Sequence, residues 1–407
     1  MASLTDDADR LPRMPPPVGA EAVEIGEATT PAGADQPLAV IAASILVGTV
    51  ALMILGVQPV VLGGLAQAGR VSDAQVGPLA TAEVLALAFG SAVGPAFMRS
   101  GSIRLKAAGL SLLLALANLG VYLVHGVLAL DLLRGGAGLI EGLMMGATIL
   151  ILVQDRHPDR LNAIFLALSA IPQAVMAYLL PVWVTPRYGA EAGFVILAAL
   201  SLVSACACLF LADTAPVAQA ETHGAAVWSL PIFVALAAVG LQNAAIGGAW
   251  DYMQLLADQH HFPAATAGIA VSGGLVLQVI GAFAVAAFGP RFPFGGTLVL
   301  GSLCQSAIIA LLALSGAPIA YLVPALAFGL FWLAMSPFQV RLLIALDPTR
   351  SAALLLTATS LVGLSLGPSL SALGVHGADV TGAFWIAAAV MAGACALYGG
   401  LALRRSR

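Results

Sequence analysis

Long apolar runs separated by short polar breaks fill the chain from Pro37 to its C-terminus. Each run is long enough to cross the hydrocarbon core of a bilayer, which takes about 20 helical residues. A membrane barrel would instead show segments of about 10 residues with alternating polarity. The pattern therefore predicts an all-α integral membrane protein whose twelve transmembrane helices lie at 38–65, 77–98, 104–126, 129–153, 161–184, 192–212, 229–256, 266–288, 297–316, 319–346, 352–374 and 382–403.

The composition supports this class and excludes others. Of 407 residues, 60% are hydrophobic and 9% are charged, whereas soluble domains average about 25% charged residues. Sixteen Lys and Arg against twenty Asp and Glu provide no basic surface for nucleic acid. The four cysteines all fall inside hydrophobic runs, so we expect no disulfide scaffold, no metal site and no cofactor.

The first residues have a different composition from the rest. Residues 1–36 carry seven acidic residues and five prolines against only Arg10 and Arg13. Such a segment buries too little apolar surface to fold, and it lacks the positive start and apolar core of a signal peptide. We therefore expect a disordered acidic tail over 1–36, a six-helix half over 37–213, a cytoplasmic linker over 214–228 and a second six-helix half over 229–407.

The distribution of positive charge predicts the orientation in the membrane. If both termini are cytoplasmic, twelve of the sixteen Lys and Arg lie on the cytoplasmic side. Only Arg70 and Arg187 lie on the opposite side, and Arg134 and Arg341 fall within spans. This bias is the one that orients membrane proteins. The single lysine beside abundant alanine and glycine indicates a GC-rich bacterium, so we expect a multi-pass protein of the bacterial inner (plasma) membrane.

The chain repeats itself weakly at an offset of about 190 residues. The segment Asp73–Gly77 precedes the second helix as Ala264–Gly268 precedes the eighth. Arg160 opens the fifth helix after an Asp and a Pro, and Arg350 opens the eleventh in the same way. Two parallel repeats of six helices are a known transporter architecture.

The stretch after the second predicted helix resembles a loop of the major facilitator superfamily. It reads Gly-Pro-Ala-Phe-Met-Arg-Ser-Gly-Ser, and the family pattern is roughly Gly-x-x-x-Asp-Arg-x-Gly-Arg. The chain keeps Gly94, Arg99 and Gly101, the candidates for a cytoplasmic gating loop. It has Met98 in place of the acid and Ser102 in place of the second base, which puts the family's cytoplasmic latch in doubt.

A second match lies on the fourth predicted helix, where Arg134, Gly138 and Gly142 are similar to the family's Arg-x-x-x-Gly pattern. The resemblance covers roughly residues 38–403. It implies two pseudo-symmetric six-helix bundles in which helices 1, 4, 7 and 10 line a central cavity and helices 3, 6, 9 and 12 face lipid. The fifth helix lacks the glycine pair of many proton-driven drug exporters of this family. This absence disfavours a multidrug antiporter, but it does not exclude export.

Ionisable side chains inside the spans are candidates for function, because each costs several kcal/mol to place in hydrocarbon. They are Glu83, Asp131, Arg134, Glu141, Asp251 and Arg341. None of them lies on helix 3, 6, 9 or 12. The charges therefore fall mainly where the resemblance places water and substrate.

Four of these residues are candidates for proton coupling: Glu141, Glu83, Arg134 and Asp251. Arg134 and Glu141 are seven residues apart, so they share one helix face at a separation of about 10 Å along the axis. An acid in apolar surroundings can exchange protons near neutral pH. As alternatives, Arg134 anchors its helix with Asp131 as its partner, Glu83 is a hydrated interfacial acid or a partner for Arg134, and Asp251 is a hydrated interfacial acid.

Amides and aromatic residues on three helices are candidates for substrate binding, because they can hydrogen-bond and stack an organic solute. They are Gln58 on the first helix, Asn243, Trp250, Tyr252 and Gln254 on the seventh, and Phe331, Trp332, Gln339 and Arg341 on the tenth. As alternatives, the aromatics form the interfacial belt and Arg341 anchors its helix at the cytoplasmic interface.

These features favour a secondary active transporter that moves a small organic solute by alternating access, coupled to protons. The chain has no Gly-x-x-x-x-Gly-Lys phosphate loop for ATP. An uncoupled facilitator and a transport-dead receptor are the alternatives. An integral-membrane enzyme is disfavoured because no cluster of acids, histidines or cysteines marks one membrane face. The expected partners are the solute, protons and the lipid bilayer, with the chain acting as a monomer.

Overall fold

A computed structural model describes residues 36–213, 228–347 and 349–405. The expected tail before residue 36 and the expected linker over 214–227 lie outside these residues. Twelve of the described helices are long and apolar enough to cross a membrane, which makes the chain a multi-pass membrane protein. They are α1 Leu38–Gln67, α2 Asp73–Arg99, α3 Ile103–Gly120, α4 Val127–Leu152, α5 Arg160–Tyr188, α6 Ala192–Phe210, α7 Leu230–Asp251, α8 Ala264–Phe288, α9 Phe294–Ala313, α10 Pro318–Leu346, α11 Ser351–Ala372 and α12 Thr381–Arg404.

The predicted number and order of helices are confirmed, and the largest difference in bounds is at the end of α3. This helix ends at Gly120, not at residue 126. Arg70 donates to the carbonyl oxygens of Val121 at 3.0 Å and Val124 at 2.7 Å, and it pairs with Glu191 at 2.5 Å. The guanidinium thus satisfies carbonyls that a longer helix would have paired internally.

The helices form two bundles, α1–α6 and α7–α12, which pack in equivalent ways. In each bundle the second and fourth helices are close neighbours, and so are the third and sixth. One hydrophobic core cluster lies wholly within each bundle, and a third joins the two. The two pseudo-symmetric halves predicted from the repeat are therefore confirmed.

Glycines allow α4 to lie directly on α2. A methyl group added at Gly138 would overlap the backbone of Glu83, and one added at Gly142 or Gly146 would overlap other α2 backbone atoms. Small residues permit this close approach of helix backbones in membranes. The approach places Glu83 of α2 beside the charged face of α4.

The two halves meet mainly toward one face of the bundle, opposite the chain termini. The first segment of α1, Leu38–Ala51, packs on α4, α5 and α6 of its own half, whereas the second segment, Met53–Gln67, also reaches α7 and α8. A second contact between the halves joins α2 to α11. There Thr81 accepts hydrogen bonds from the Ser369 hydroxyl and backbone N–H, at 2.7 and 3.2 Å. We call the end of the molecule at which the two halves meet the closed face. We call the opposite end, which carries the chain termini, the terminal face.

Candidate functional site

A buried ion pair joins α2 and α4. Glu83 and Arg134 are in contact, and neither side chain has exposed surface. Arg134 also donates to the Asn118 side-chain oxygen on α3 at 2.9 Å and lies 5.0 Å from the centre of the Phe194 ring on α6. Four helices of the first half therefore hold the guanidinium, which pairs with Glu83 and not with Asp131, three residues away.

Two further carboxyl groups lie around this pair. Glu141 of α4 is 3% exposed and Asp251 of α7 is 2% exposed. Glu141 is close enough to interact electrostatically with Glu83 and Arg134, and Asp251 with Glu83. We call Glu83, Arg134, Glu141 and Asp251 the acidic cluster. Three of its residues belong to the first half and Asp251 belongs to the second, so the cluster spans the interface between the halves.

Several polar atoms of the acidic cluster lack a hydrogen-bond partner within the described part of the chain. They are Glu83 Oε2, Glu141 Oε2, Asp251 Oδ1 and Arg134 Nε. The neighbouring Gln58 amide, which lies against Glu83, also has its nitrogen unpartnered. Buried polar groups are rarely left unpaired, and each unpaired group costs about 1–3 kcal/mol. The cluster therefore contains buried polar atoms whose hydrogen-bonding capacity is not used within the described residues.

Trp250 connects α7 of the second half to α1 of the first half. Pro59 of α1 has no N–H, so the carbonyl of Leu55 four residues earlier loses its helical partner. The indole nitrogen of Trp250 donates to this carbonyl at 2.9 Å, and its ring packs edge-on against Trp332 with centroids 5.1 Å apart. With 2% of its surface exposed, Trp250 acts here as a tie between α1 and α7.

Tyr252 and Gln254 also lie in contacts between the halves. The Gly77 N–H of α2 donates to the Tyr252 hydroxyl at 3.1 Å. Gln254 packs against Gly63 of α1 and donates to Asp258 at 3.0 Å. In this conformation both predicted substrate-binding residues therefore help to close one face of the molecule.

Gln339 belongs to a buried network within the second half. It donates to the Gln242 side-chain oxygen at 2.9 Å, and Gln242 donates to Gln305 at 2.7 Å. The Tyr398 hydroxyl donates to Gln242 at 3.0 Å, and the carbonyl of Phe331 accepts from Gln305 at 3.4 Å. Sequence reasoning missed Gln305 and Tyr398, although an amide in an apolar span signals a required partner.

Asn243 and Arg341 bind backbone and side-chain groups away from the cluster. Asn243 donates to the Val239 carbonyl at 3.0 Å and to Ser360 at 3.3 Å. Arg341 donates to the carbonyls of Gly289 at 3.1 Å and Phe292 at 3.2 Å, at the terminal face. The position of Arg341 matches the alternative of interfacial anchoring.

The predicted gating loop lies at the terminal face. Gly94 packs against Gly146 of α4, and Gly101 has φ of +81°, a conformation that favours glycine. The Arg99 side chain is exposed at the end of α2, while Met98, which replaces the family's acid, is fully buried. Its apolar side chain belongs to the hydrophobic core of the first half.

Replacing Trp250 with phenylalanine tests the tie to Leu55. The change leaves a buried carbonyl unpaired, at a cost of about 1–3 kcal/mol, so the open population of the closed face should rise about 5- to 150-fold. Pulsed EPR distances between nitroxides at Ala68 and His261, on opposite halves, measure this opening. Trp332→Phe, which removes aromatic contact but not the bond to Leu55, serves as the control. Equal distance distributions for Trp250→Phe and the wild type would show that the hydrogen bond from Trp250 to Leu55 does not hold the closed face together.

Asp258 lies beyond the spanning part of α7, at the closed face. Burial raises the pKa of Asp258 to about 6, and the nearby charge of Asp73 acts in the same direction, whereas hydrogen bonds from Gln254 and Gln67 lower it. Asp73 and Gln67 belong to the first half and Gln254 to the second. Proton binding at Asp258 is therefore linked to the contact between the halves.

This linkage predicts a pH dependence of the closed face. Opening would expose Asp258 and return its pKa toward the usual 3.8. The closed arrangement is thus most favoured below pH about 4, loses stability as the pH rises to about 6, and changes little above that. The EPR distances between Ala68 and His261, followed over this range, should lengthen as the pH rises. Asp258→Asn should make them independent of pH; a wild-type profile in this variant would assign the effect to another group.

No protein-family model and no curated protein matches the chain. Several solved structures do match in fold. A bacterial homologue of the human lysosomal transporter Spinster, inward-facing and unoccupied, is 15% identical with a TM-score of 0.67 over 91% of this chain and 96% of the other. A variant of the nucleoside transporter NupG is 14% identical with a TM-score of 0.69 over 89% and 99%. The xylose transporter XylE of E. coli, partially occluded and inward-open, is 14% identical with a TM-score of 0.64 over 88% and 96%.

Identities this low establish the fold alone. The chain has the fold of these transporters, with two six-helix bundles, as the resemblance of the sequence to the major facilitator superfamily implied. In this fold the acidic cluster lies at the junction of the two bundles, on α2, α4 and α7.

Proposed function

We propose that this protein is a secondary active transporter that moves a small organic solute by alternating access, coupled to protons. We place it in the bacterial inner membrane with both termini cytoplasmic. The observation that carries the proposal is the acidic cluster, in which Glu83 and Arg134 form a buried ion pair and two further buried carboxyl groups, Glu141 and Asp251, lie around it across the interface between the halves. A structural ion pair needs one acid, and the two others are available for proton transfer.

The charge of the cluster supplies a reason for coupling. Three carboxylates and one guanidinium sum to −2 when all are ionised. Leaving that charge enclosed and unpaired costs several kcal/mol per ion. When the halves rock, Asp251 moves with the second half while Glu83, Arg134 and Glu141 move with the first. The enclosed arrangement is therefore reached more easily after protons bind, and the open arrangement releases them.

The closed face supports alternating access. Trp250, Tyr252 and Gln254 join the halves on one side of the cluster, while the first segment of α1 packs mainly within its own half on the other. With the termini in the cytoplasm, the closed face would be the outer one, as an inward-facing conformation requires. Two of the matched structures are described as inward-facing or inward-open.

Glu141→Gln tests the coupling. Purified protein in proteoliposomes is given radiolabelled xylose, uridine, alanine, citrate and 2-phenylethylamine, with and without an imposed pH gradient. We expect the wild type to accumulate at least one solute when a pH gradient is imposed, and Glu141→Gln to lose that accumulation while retaining solute exchange, because the amide cannot release a proton. The control is Asp131→Asn, which removes a carboxyl group from the same helix outside the cluster.

The outcomes separate the alternatives. Exchange without gradient-driven accumulation in the wild type would identify an uncoupled facilitator. Accumulation that persists in Glu141→Gln would remove this residue from the proton pathway. Binding of a solute with neither exchange nor accumulation would identify a receptor and overturn the proposal of transport.

A further inference from the structure

The acidic cluster offers acceptors but no free positive charge. Arg134 is bound to Glu83 and Asn118, and Arg341 is bound to loop carbonyls at the terminal face. These are the two arginines within the spans, apart from those at helix ends. An anionic solute at the cluster would therefore meet three carboxyl groups, and on the guanidinium it would find only the Nε–H of Arg134 without a partner.

The unpartnered atoms of the cluster match a donor with positive charge. Glu141 Oε2 and Asp251 Oδ1 are buried acceptors without donors in the described part of the chain, whereas the Gln58 amide lies against the third carboxyl group, that of Glu83. An ammonium group carries three N–H donors and no acceptor, and its hydrogen bonds to carboxylates are about twice as strong as neutral ones. We propose that the acidic cluster is also a substrate site, and that it binds an organic cation through a protonated amine. This inference rests on the proposed transport function and specifies its substrate class.

The spacing of the carboxyl groups favours an organic cation over a metal ion. Among the residues that the structure describes, no three His, Cys, Asp or Glu side chains are grouped closely enough to hold a metal. Carboxyl groups that do not converge on one point can each pair with a separate ammonium group, whereas a metal ion needs several of them in one coordination shell.

The other polar candidates favour the same conclusion. Asn243 and Gln339 are engaged by groups of their own half, and Trp250 and Tyr252 by groups of the opposite half. A neutral polyol would have to compete for these bonds. The carboxyl oxygens of the cluster need no such exchange.

Each ammonium group that binds at the cluster replaces one carboxyl proton. A protonated amine that pairs with a carboxyl group displaces the proton of that group to the solvent, so that the charge of the site is unchanged and no covalent bond to carbon forms or breaks. A diamine displaces up to two protons, one from each of the two carboxyl groups that Arg134 does not neutralise. Solute and protons thus compete for the same oxygens.

The test uses the purified full chain in weakly buffered detergent solution. The probes are 2-phenylethylamine and putrescine, with 2-phenylethanol and phenylacetate as neutral and anionic analogues of the first. Binding is followed by tryptophan fluorescence, and proton release by a pH-sensitive dye. We expect the amines to bind and to release protons, and their affinity to rise about tenfold per pH unit while the displaced group remains protonated. The two analogues should bind at least about tenfold more weakly.

Two variants locate the site. Asp251→Asn and Glu141→Gln should each weaken amine binding about tenfold or more and lower the number of protons that putrescine releases, whereas Asp131→Asn should change neither quantity. The inference is overturned if neither amine binds more tightly than its analogues or if binding releases no proton. Gradient-driven accumulation of xylose or uridine without amine binding would sink this inference and leave the transport proposal standing. Amine binding with proton release but no flux of any solute would leave this inference standing and overturn the proposal of transport.

Discussion

Arg134→Gln is expected to lower the free energy of unfolding by about 3–5 kcal/mol, the range seen when one partner of a buried ion pair is removed. The glutamine leaves Glu83, Glu141 and Asp251 enclosed with no positive charge beside them. It also leaves the Asn118 side-chain oxygen without the strong donor that it has at 2.9 Å. Unfolding in mixed micelles with increasing dodecyl sulfate measures the loss.

A second substitution shows whether charge is the cause. Glu83→Gln combined with Arg134→Gln removes the acid that faces the missing guanidinium, so most of the lost stability should return. Replacing both members of a buried pair is often close to neutral. The coupling energy of the double-mutant cycle isolates the pair from the separate effects of the two variants. If the double variant is as unstable as Arg134→Gln alone, packing of the long side chain against Phe194 is the larger contribution, and the ion pair is not what holds α2 to α4.

Gly138→Ala should have the second largest effect. The new methyl group would overlap the backbone of Glu83, so α2 and α4 must separate. Overpacking of this kind costs about 1–3 kcal/mol. Because the shift displaces Glu83 relative to Arg134, gradient-driven transport should fall together with stability.

The same helix offers a matched control. Gly136 has open space where a methyl group would be placed, so Gly136→Ala should leave stability unchanged or raise it by about 0.5–1 kcal/mol, the usual advantage of alanine over glycine in a helix. Thermal unfolding of the two variants in one detergent gives the comparison. Equal unfolding temperatures would show that the helices adjust to the methyl group without cost.

The hydrophobic pattern was sufficient to predict the helices because crossing a bilayer imposes a minimum length on each apolar run. The same pattern identified the charged residues within spans, since ionisable groups are rare there. It left two partners open for Arg134, Asp131 on the same helix and Glu83 on another helix, and the structure pairs it with Glu83.

The substrate candidates illustrate the other limit. Trp250, Tyr252 and Gln339 have the polar and aromatic character of binding residues, and that character is visible in the sequence. Whether a side chain faces a solute or another helix depends on which helices lie opposite. The bond from Trp250 to Leu55 needs both the missing N–H of Pro59 and the meeting of α1 with α7. The proline can be read from the sequence, whereas the contact between α1 and α7 cannot.

The amino-acid sequence was enough to predict a membrane protein with twelve helices that cross the bilayer in two repeats, and to identify the six ionisable residues within those spans. These follow from the free energy of moving each residue between water and hydrocarbon, which depends on the residue and its neighbours along the chain. The position of Glu83, Arg134, Glu141 and Asp251 in one enclosed cluster between the halves could be seen only in the folded molecule. That arrangement depends on which helices touch, and the glycines of α4 set how closely they do so, because packing is decided by shape between distant segments.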